Sequence, residues 1–132
     1  MPDFATRQLP QAPDVLAPDG SEVRVLLAGR HGSMAHFRLR AGQVARAVRH
    51  RTVEEIWYVL SGHGEMWRSF AGRDETTALA AGLCLTIPAG TAFQFRASDN
   101  ERLDAIAVTM PPWPGEDEAE MCPGPWPPNL GP

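Results

Sequence analysis

The chain has 132 residues, enough for one domain and short for two; at this size folding buries roughly two thirds of the surface the unfolded chain exposes, so stability needs neither a disulfide nor a structural metal. Its 12 basic residues, all arginine, face 16 acidic ones for a net charge of −4. That balance disfavours generic binding to nucleic acid or anionic membranes, and the absence of lysine excludes lysine chemistry.

Residues 1–22 are read as an N-terminal arm. Pro2, Pro10, Pro13 and Pro18 break it up, and it has no apolar run of the kind a signal peptide carries. No stretch nears the roughly 20 apolar residues of a membrane span, so a cytoplasmic protein without membrane partners is the expectation. From residue 23 to 110 proline and glycine divide the chain into short pieces rich in Val, Leu, Ile, Phe, Trp and Thr, a many-stranded pattern. Strands are predicted at Val23–Leu27, Met34–Leu39, Val44–His50, Glu55–Leu60, Glu65–Phe70, Thr76–Leu79, Leu83–Ile87, Ala92–Ala97 and Leu103–Met110.

The two-residue period of a strand then assigns faces. In Met34–Leu39, Ala35, Phe37 and Leu39 share the apolar side, leaving His36 with Arg38 on the other as a surface or interface histidine. In Val44–His50, Arg46, Val48 and His50 share one side. Glu55, Trp57 and Val59 oppose Ile56, Tyr58 and Leu60, and Phe93 shares a side with Phe95. Cys84 reads as a core residue and Cys122 as incidental; without a Cys-x-x-Cys, neither a disulfide framework nor a thiolate metal site is expected. So many strands without helical crossovers must pair antiparallel and close into a barrel or roll. From residue 111 to 132 the chain becomes a tail with 8 prolines and an acidic cluster at Glu116, Asp117, Glu118 and Glu120. It cannot form a central strand. Trp113 and Trp126 would let it dock as an extended arm; a disordered tail is the alternative.

Two segments carry a family resemblance. Gly42 begins the first: five residues reach Val48-Arg49-His50, Glu55 follows, and six more residues end at Gly62. Gly82 begins the second, with Pro88 and Gly90 in register and Phe93 after them. These resemble the two motifs of the cupin family, in which the first has the form Gly, five residues, His-x-His, Glu, Gly, and the second Gly, five residues, Pro-x-Gly, His. The resemblance implies an all-β, antiparallel jelly-roll barrel with a pocket on its inner face, in many relatives as a homodimer. It also implies a metal held by three histidines and the glutamate. Here Val48 and Phe93 stand where two of those histidines would, so His50 and Glu55 alone remain, and two ligands are too few for a catalytic divalent ion. No cofactor is therefore expected. A divalent metal at His50 and Glu55, completed by substrate oxygen or water, is the alternative.

If His50 faces inward, the pocket is lined by Arg46, Val48, His50, Glu55, Trp57, Phe93 and Phe95. That mixture suits a small organic metabolite, aromatic or anionic, with Arg46 pairing to a carboxylate. The aromatic residues are equally able to fill the barrel as plain core, and Arg46 to reach solvent. His50 and Glu55 could act as catalytic acid and base on an isomerase or lyase substrate, or form a buried pair in which each stabilises the other's charge. A metal-dependent dioxygenase is a third reading, disfavoured by Val48 and Phe93. Dimerisation has one reason beyond family resemblance, the second apolar face made by Ile56, Tyr58 and Leu60.

Overall fold

A computed structural model describes residues 3–130. Its strands are β1 (Val15–Leu16), β2 (Glu22–Ala28), β3 (Ser33–Leu39), β4 (Val48–His50), β5 (Glu54–Ser61), β6 (His63–Phe70), β7 (Arg73–Ala80), β8 (Cys84–Ile87), β9 (Ala92–Ala97), β10 (Leu103–Met110) and β11 (Ala119–Met121). They form two antiparallel sheets, ordered β1-β2-β3-β10-β5-β8 and β11-β4-β9-β6-β7. The all-β jelly roll expected from the sequence is therefore present. Among the described residues the only helical element is a single 3-10 turn, Glu116–Glu118, and no helix is long and apolar enough to cross a membrane.

The core lies between the inner faces of the two sheets, as strand alternation requires. In β5 the alternation is complete: Glu55, Trp57 and Val59 are buried while Ile56, Tyr58 and Leu60 are exposed. Leu39, Met66, Leu79, Ile87, Phe95 and Leu103 complete the packing around them. Gly62, which joins β5 to β6, has a positive φ of 88°. A Cβ there would lie 2.0 Å from the Arg102 carbonyl oxygen. The chain can reverse at this point only without a side chain.

Three expectations about faces are corrected. The first concerns Arg46. Val44 pairs with Arg96 and Val48 with Phe93, so four steps along one strand match three along the other. The one-residue bulge reverses the alternation. Ala45, Val48 and His50 point to the core, and Arg46 leaves it. Its backbone N–H donates to the Asp19 carbonyl at 2.8 Å, and its side chain lies against Gly20 in a groove shared with Cys122 and the prolines that follow it.

His36 does take the face opposite Ala35 and Phe37, but it is 1% exposed rather than on the surface. Arg24, its cross-strand neighbour, donates from Nε to the Pro10 carbonyl at 2.8 Å and from Nη2 to that of Gln11 at 2.6 Å, tying the N-terminal arm over this part of the sheet. Cys84 is exposed, not core. Leu85 and Ile87 are the buried residues of β8, which places Cys84 in the outward phase opposite Tyr58.

The proline-rich tail is docked. β11 adds an edge strand beside β4. The buried Glu118 carboxylate accepts from Thr52 N at 2.6 Å, Thr52 Oγ1 at 2.5 Å and Val53 N at 3.1 Å. Further along, Gln94 donates to the Trp126 carbonyl and accepts from the Trp126 N–H, and the Arg96 guanidinium lies 4.0 Å above the Trp126 ring, a cation–π contact.

Candidate functional site

At one end of the roll the sheets enclose a cavity of about 290 Å³, walled by Val48, His50, Glu55, Trp57 and Phe93 and completed by the arm around Asp19 and the tail at Trp113. The residues of the two sequence motifs meet here because β4 pairs with β9, which makes Val48 and Phe93 direct cross-strand partners. Two sequence candidates lie elsewhere. Phe95 stands behind the wall, edge-on to Trp57 at 5.0 Å, and Arg46 is on the far side of the bulge described above. A bound carboxylate would therefore find no arginine on this wall among the described residues.

His50 and Glu55 face each other in the cavity wall, with Nδ1 and Oε1 3.3 Å apart. They lie within ion-pair range, yet Nδ1 makes no hydrogen bond of good geometry. Phe93 and Trp113 meet the imidazole edge-on at 5.0 and 4.9 Å and keep water from it. Burial pushes the His50 pKa down to about 4, against an opposing pull from the Glu118 carboxylate. Burial likewise pushes Glu55 up to about 8; the Trp57 N–H, near the carboxyl but unaligned for a hydrogen bond, acts against that rise, and the charge of Asp19 adds to it. Neither group thus stabilises a charge on the other, contrary to the paired-ion reading. At neutral pH a protonated carboxyl faces a neutral imidazole, a proton donor beside a proton acceptor.

This pair makes stability depend on pH with a sign that can be worked out. His50, whose folded value is depressed, costs stability as pH falls from about 6.5 toward 4. Glu55, whose folded value is raised, costs stability as pH rises from about 4.5 toward 8. Between 4.5 and 6.5 the two slopes cancel. Above 6.5 Glu55 acts alone, and roughly 1.5 units at 1.36 kcal/mol each amount to about 2 kcal/mol lost by pH 8. Urea unfolding across about pH 6.5 to 8.5 should show this decline, and the decline should be absent in Glu55→Gln. A decline of the same size in that variant would refute the assignment.

Asp19 and Trp113 belong to the site and were not among the sequence candidates. Asp19 is 5% exposed and is held by Ser21, whose N–H and hydroxyl both donate to Oδ1, at 2.9 and 2.6 Å. Burial raises its pKa against those hydrogen bonds and the nearby Arg46 charge. In the sequence Pro18-Asp19-Gly20-Ser21 signals only a turn.

The family's metal does not fit these residues. Val48 and Phe93 offer no lone pair, and among the described residues no three His, Cys, Asp or Glu side chains are gathered as a ligand set.

Two facing antiparallel sheets closed around a cavity at one end define a double-stranded β-helix barrel. The Cupin_2 model, described as a cupin domain, matches residues 35–109, and the chain belongs to the cupin family. No curated protein matches the sequence significantly. Among solved structures it is similar to a tyrosine-to-phenylalanine variant of Streptomyces PAC13 with uridine, at 13% identity and a TM-score of 0.68 over 92% of each chain. It also resembles KdgF from Halomonas sp., at 17% identity and a TM-score of 0.62 over 74% of this chain and 85% of that one. A predicted oxalate decarboxylase from Thermotoga maritima aligns at 23% identity with a TM-score of 0.58, over 68% of this chain and 79% of that one. At these identities the likeness is one of fold.

Proposed function

We propose that this cupin binds a compact, largely apolar or aromatic metabolite in the cavity between Trp57, Phe93 and His50. The observation that carries the reading is a pair of buried polar atoms on a mainly apolar wall. His50 Nδ1 and Trp57 Nε1 lie near the Glu55 carboxyl without a well-aligned hydrogen bond, and a ligand would supply what the fold omits. The volume lies at the lower end of the roughly 300–1,000 Å³ typical of ligand pockets, which limits the ligand to about two small rings. The uridine in the PAC13 structure is of that kind. An anionic ligand has less support, because Arg46 is outside the cavity. A metabolite screen by thermal stabilisation tests the reading. Hits should lose their effect in Trp57→Phe and His50→Ala, whereas a screen whose hits are indifferent to both substitutions would refute it.

A second reading is an isomerase- or lyase-type enzyme, and one observation favours it: a protonated carboxyl and a neutral imidazole 3.3 Å apart can donate and accept a proton in one step. Turnover of any hit, abolished in His50→Ala with binding retained, would select it.

We further propose a homodimer through the outer face of the sheet containing β5, where Ile56, Tyr58 and Leu60 are 43%, 47% and 41% exposed. Covering such a face is favourable at about 25 cal/mol per Å². Light scattering at micromolar concentration should give twice the chain mass, and Tyr58→Arg should halve it; a monomeric wild-type chain would overturn the proposal.

A further inference from the structure

The ionisable groups of the cavity wall are Asp19 from the arm, His50 from β4, Glu55 from β5 and the exposed Glu116 from the tail, with no arginine among the described wall residues. The wall is thus acidic as well as apolar. Glu118 acts on His50 from behind and Arg46 acts on Asp19. Asp19, His50 and Glu55 are 5%, 6% and 2% exposed. Both Ser21 hydrogen bonds to Asp19 end on Oδ1, so its second oxygen is not engaged by them. His50 Nδ1 is buried without a partner, and it lies 3.3 Å from Glu55 Oε1.

An acid-lined, apolar cavity with no arginine on its described wall suits a cation better than an anion. We propose, on the basis of the ligand-binding reading above, that the cavity selects a primary amine carried on an apolar or aromatic body. Glu55 and His50, 3.3 Å apart, hold the ammonium, and the charge of Asp19, which already acts on Glu55, sets the preference. The body lies against Trp57 and Phe93. A cation in this position would add a counter-charge to the wall's carboxylates, and buried charges are tolerated only when so paired. Before the amine binds, Glu55 is protonated at neutral pH, so the amine's arrival expels its proton.

Isothermal titration of the full chain with phenethylamine, 2-phenylethanol and phenylacetate, three probes of nearly equal size, tests this. The amine should bind about tenfold more tightly than the alcohol, with the acid weakest. Its affinity should rise from about pH 6 to about pH 8 as Glu55 gives up its proton, and titration in two buffers of different ionisation enthalpy should report proton release. Asp19→Asn keeps the turn with Ser21 and should cut the amine's advantage over the alcohol several-fold. Glu55→Gln should abolish proton release. Equal or tighter binding of the alcohol or the acid would overturn the inference and leave the small-molecule reading standing. Binding of none of the three would remove both.

Discussion

Trp57→Ala should cost about 3–5 kcal/mol of stability, the range for removing a large aromatic side chain from a packed core. Trp57 is 1% exposed. It stacks on Phe37 at 5.2 Å with 14° between the rings and meets Phe95 edge-on. These contacts come from three strands, β3, β5 and β9, so the indole joins the two sheets across the core. Neither neighbouring ring can move into the void without leaving its own contacts, which puts the expected cost in the upper part of that range. Trp57→Phe keeps an aromatic ring and should cost less than half as much. Chemical denaturation gives both numbers. A loss under about 1 kcal/mol for the alanine variant would mean that the wall relaxes, and that the cavity is softer than its packing implies. Because the same ring lines the cavity, the two variants also separate structural from ligand-binding effects: Trp57→Phe should fold well yet lose the indole N–H.

Asp104→Ala should be comparably damaging, again about 3–5 kcal/mol, because removing one member of a buried charge cluster strands the others. Asp104 is 4% exposed on the outer side of the sheet. Its Oδ1 lies 2.8 Å from both His36 Nε2 and Arg38 Nε, and its Oδ2 2.8 Å from Arg102 Nε. Without it, Arg38 and His36 would lose their shared carboxylate beside the buried Arg24. Burial alone would raise the Asp104 pKa; hydrogen bonds and charge from Arg38 and Arg102 more than offset this and hold it below 3.8. A depressed carboxylate contributes stability that is complete above 3.8 and lost as pH falls through the folded value. Wild-type protein should therefore lose stability on acidification below about pH 4 more steeply than Asp104→Asn. Urea midpoints at about pH 7 and about pH 2 decide this, and an Asn variant with an unchanged acid slope would contradict the assignment. His36 bears the opposite sign: burial lowers its pKa despite Asp104, so it costs stability as pH falls below 6.5.

Much of this molecule was legible in one dimension. The period of two placed Glu55, Trp57 and Val59 inside and Ile56, Tyr58 and Leu60 outside, because β5 is a regular strand with neighbours on both sides. The same rule misplaced Arg46, because a bulge is an extra residue relative to a partner strand, and the partner's register is not written in the strand itself. It assigned His36 the correct face and the wrong exposure, since what covers that face is an arm held by Arg24. Cys84 was misread because an apolar neighbourhood in sequence says nothing about phase when the strand has only four residues.

Composition, glycine and proline spacing and strand periodicity by themselves determined the all-β roll and its principal strands, and the two motifs placed Val48 and Phe93 where the resemblance implies histidines. These are local properties, and each depends on a residue and its near neighbours in the chain. Tertiary structure alone decided that Asp19 and Trp113, from opposite ends of the chain, close the cavity, that the proline-rich tail docks, and that His50 and Glu55 meet as neutral groups. Such features depend on contacts between distant segments and on the water those contacts exclude, and desolvation is a property of the assembled surroundings rather than of any residue type.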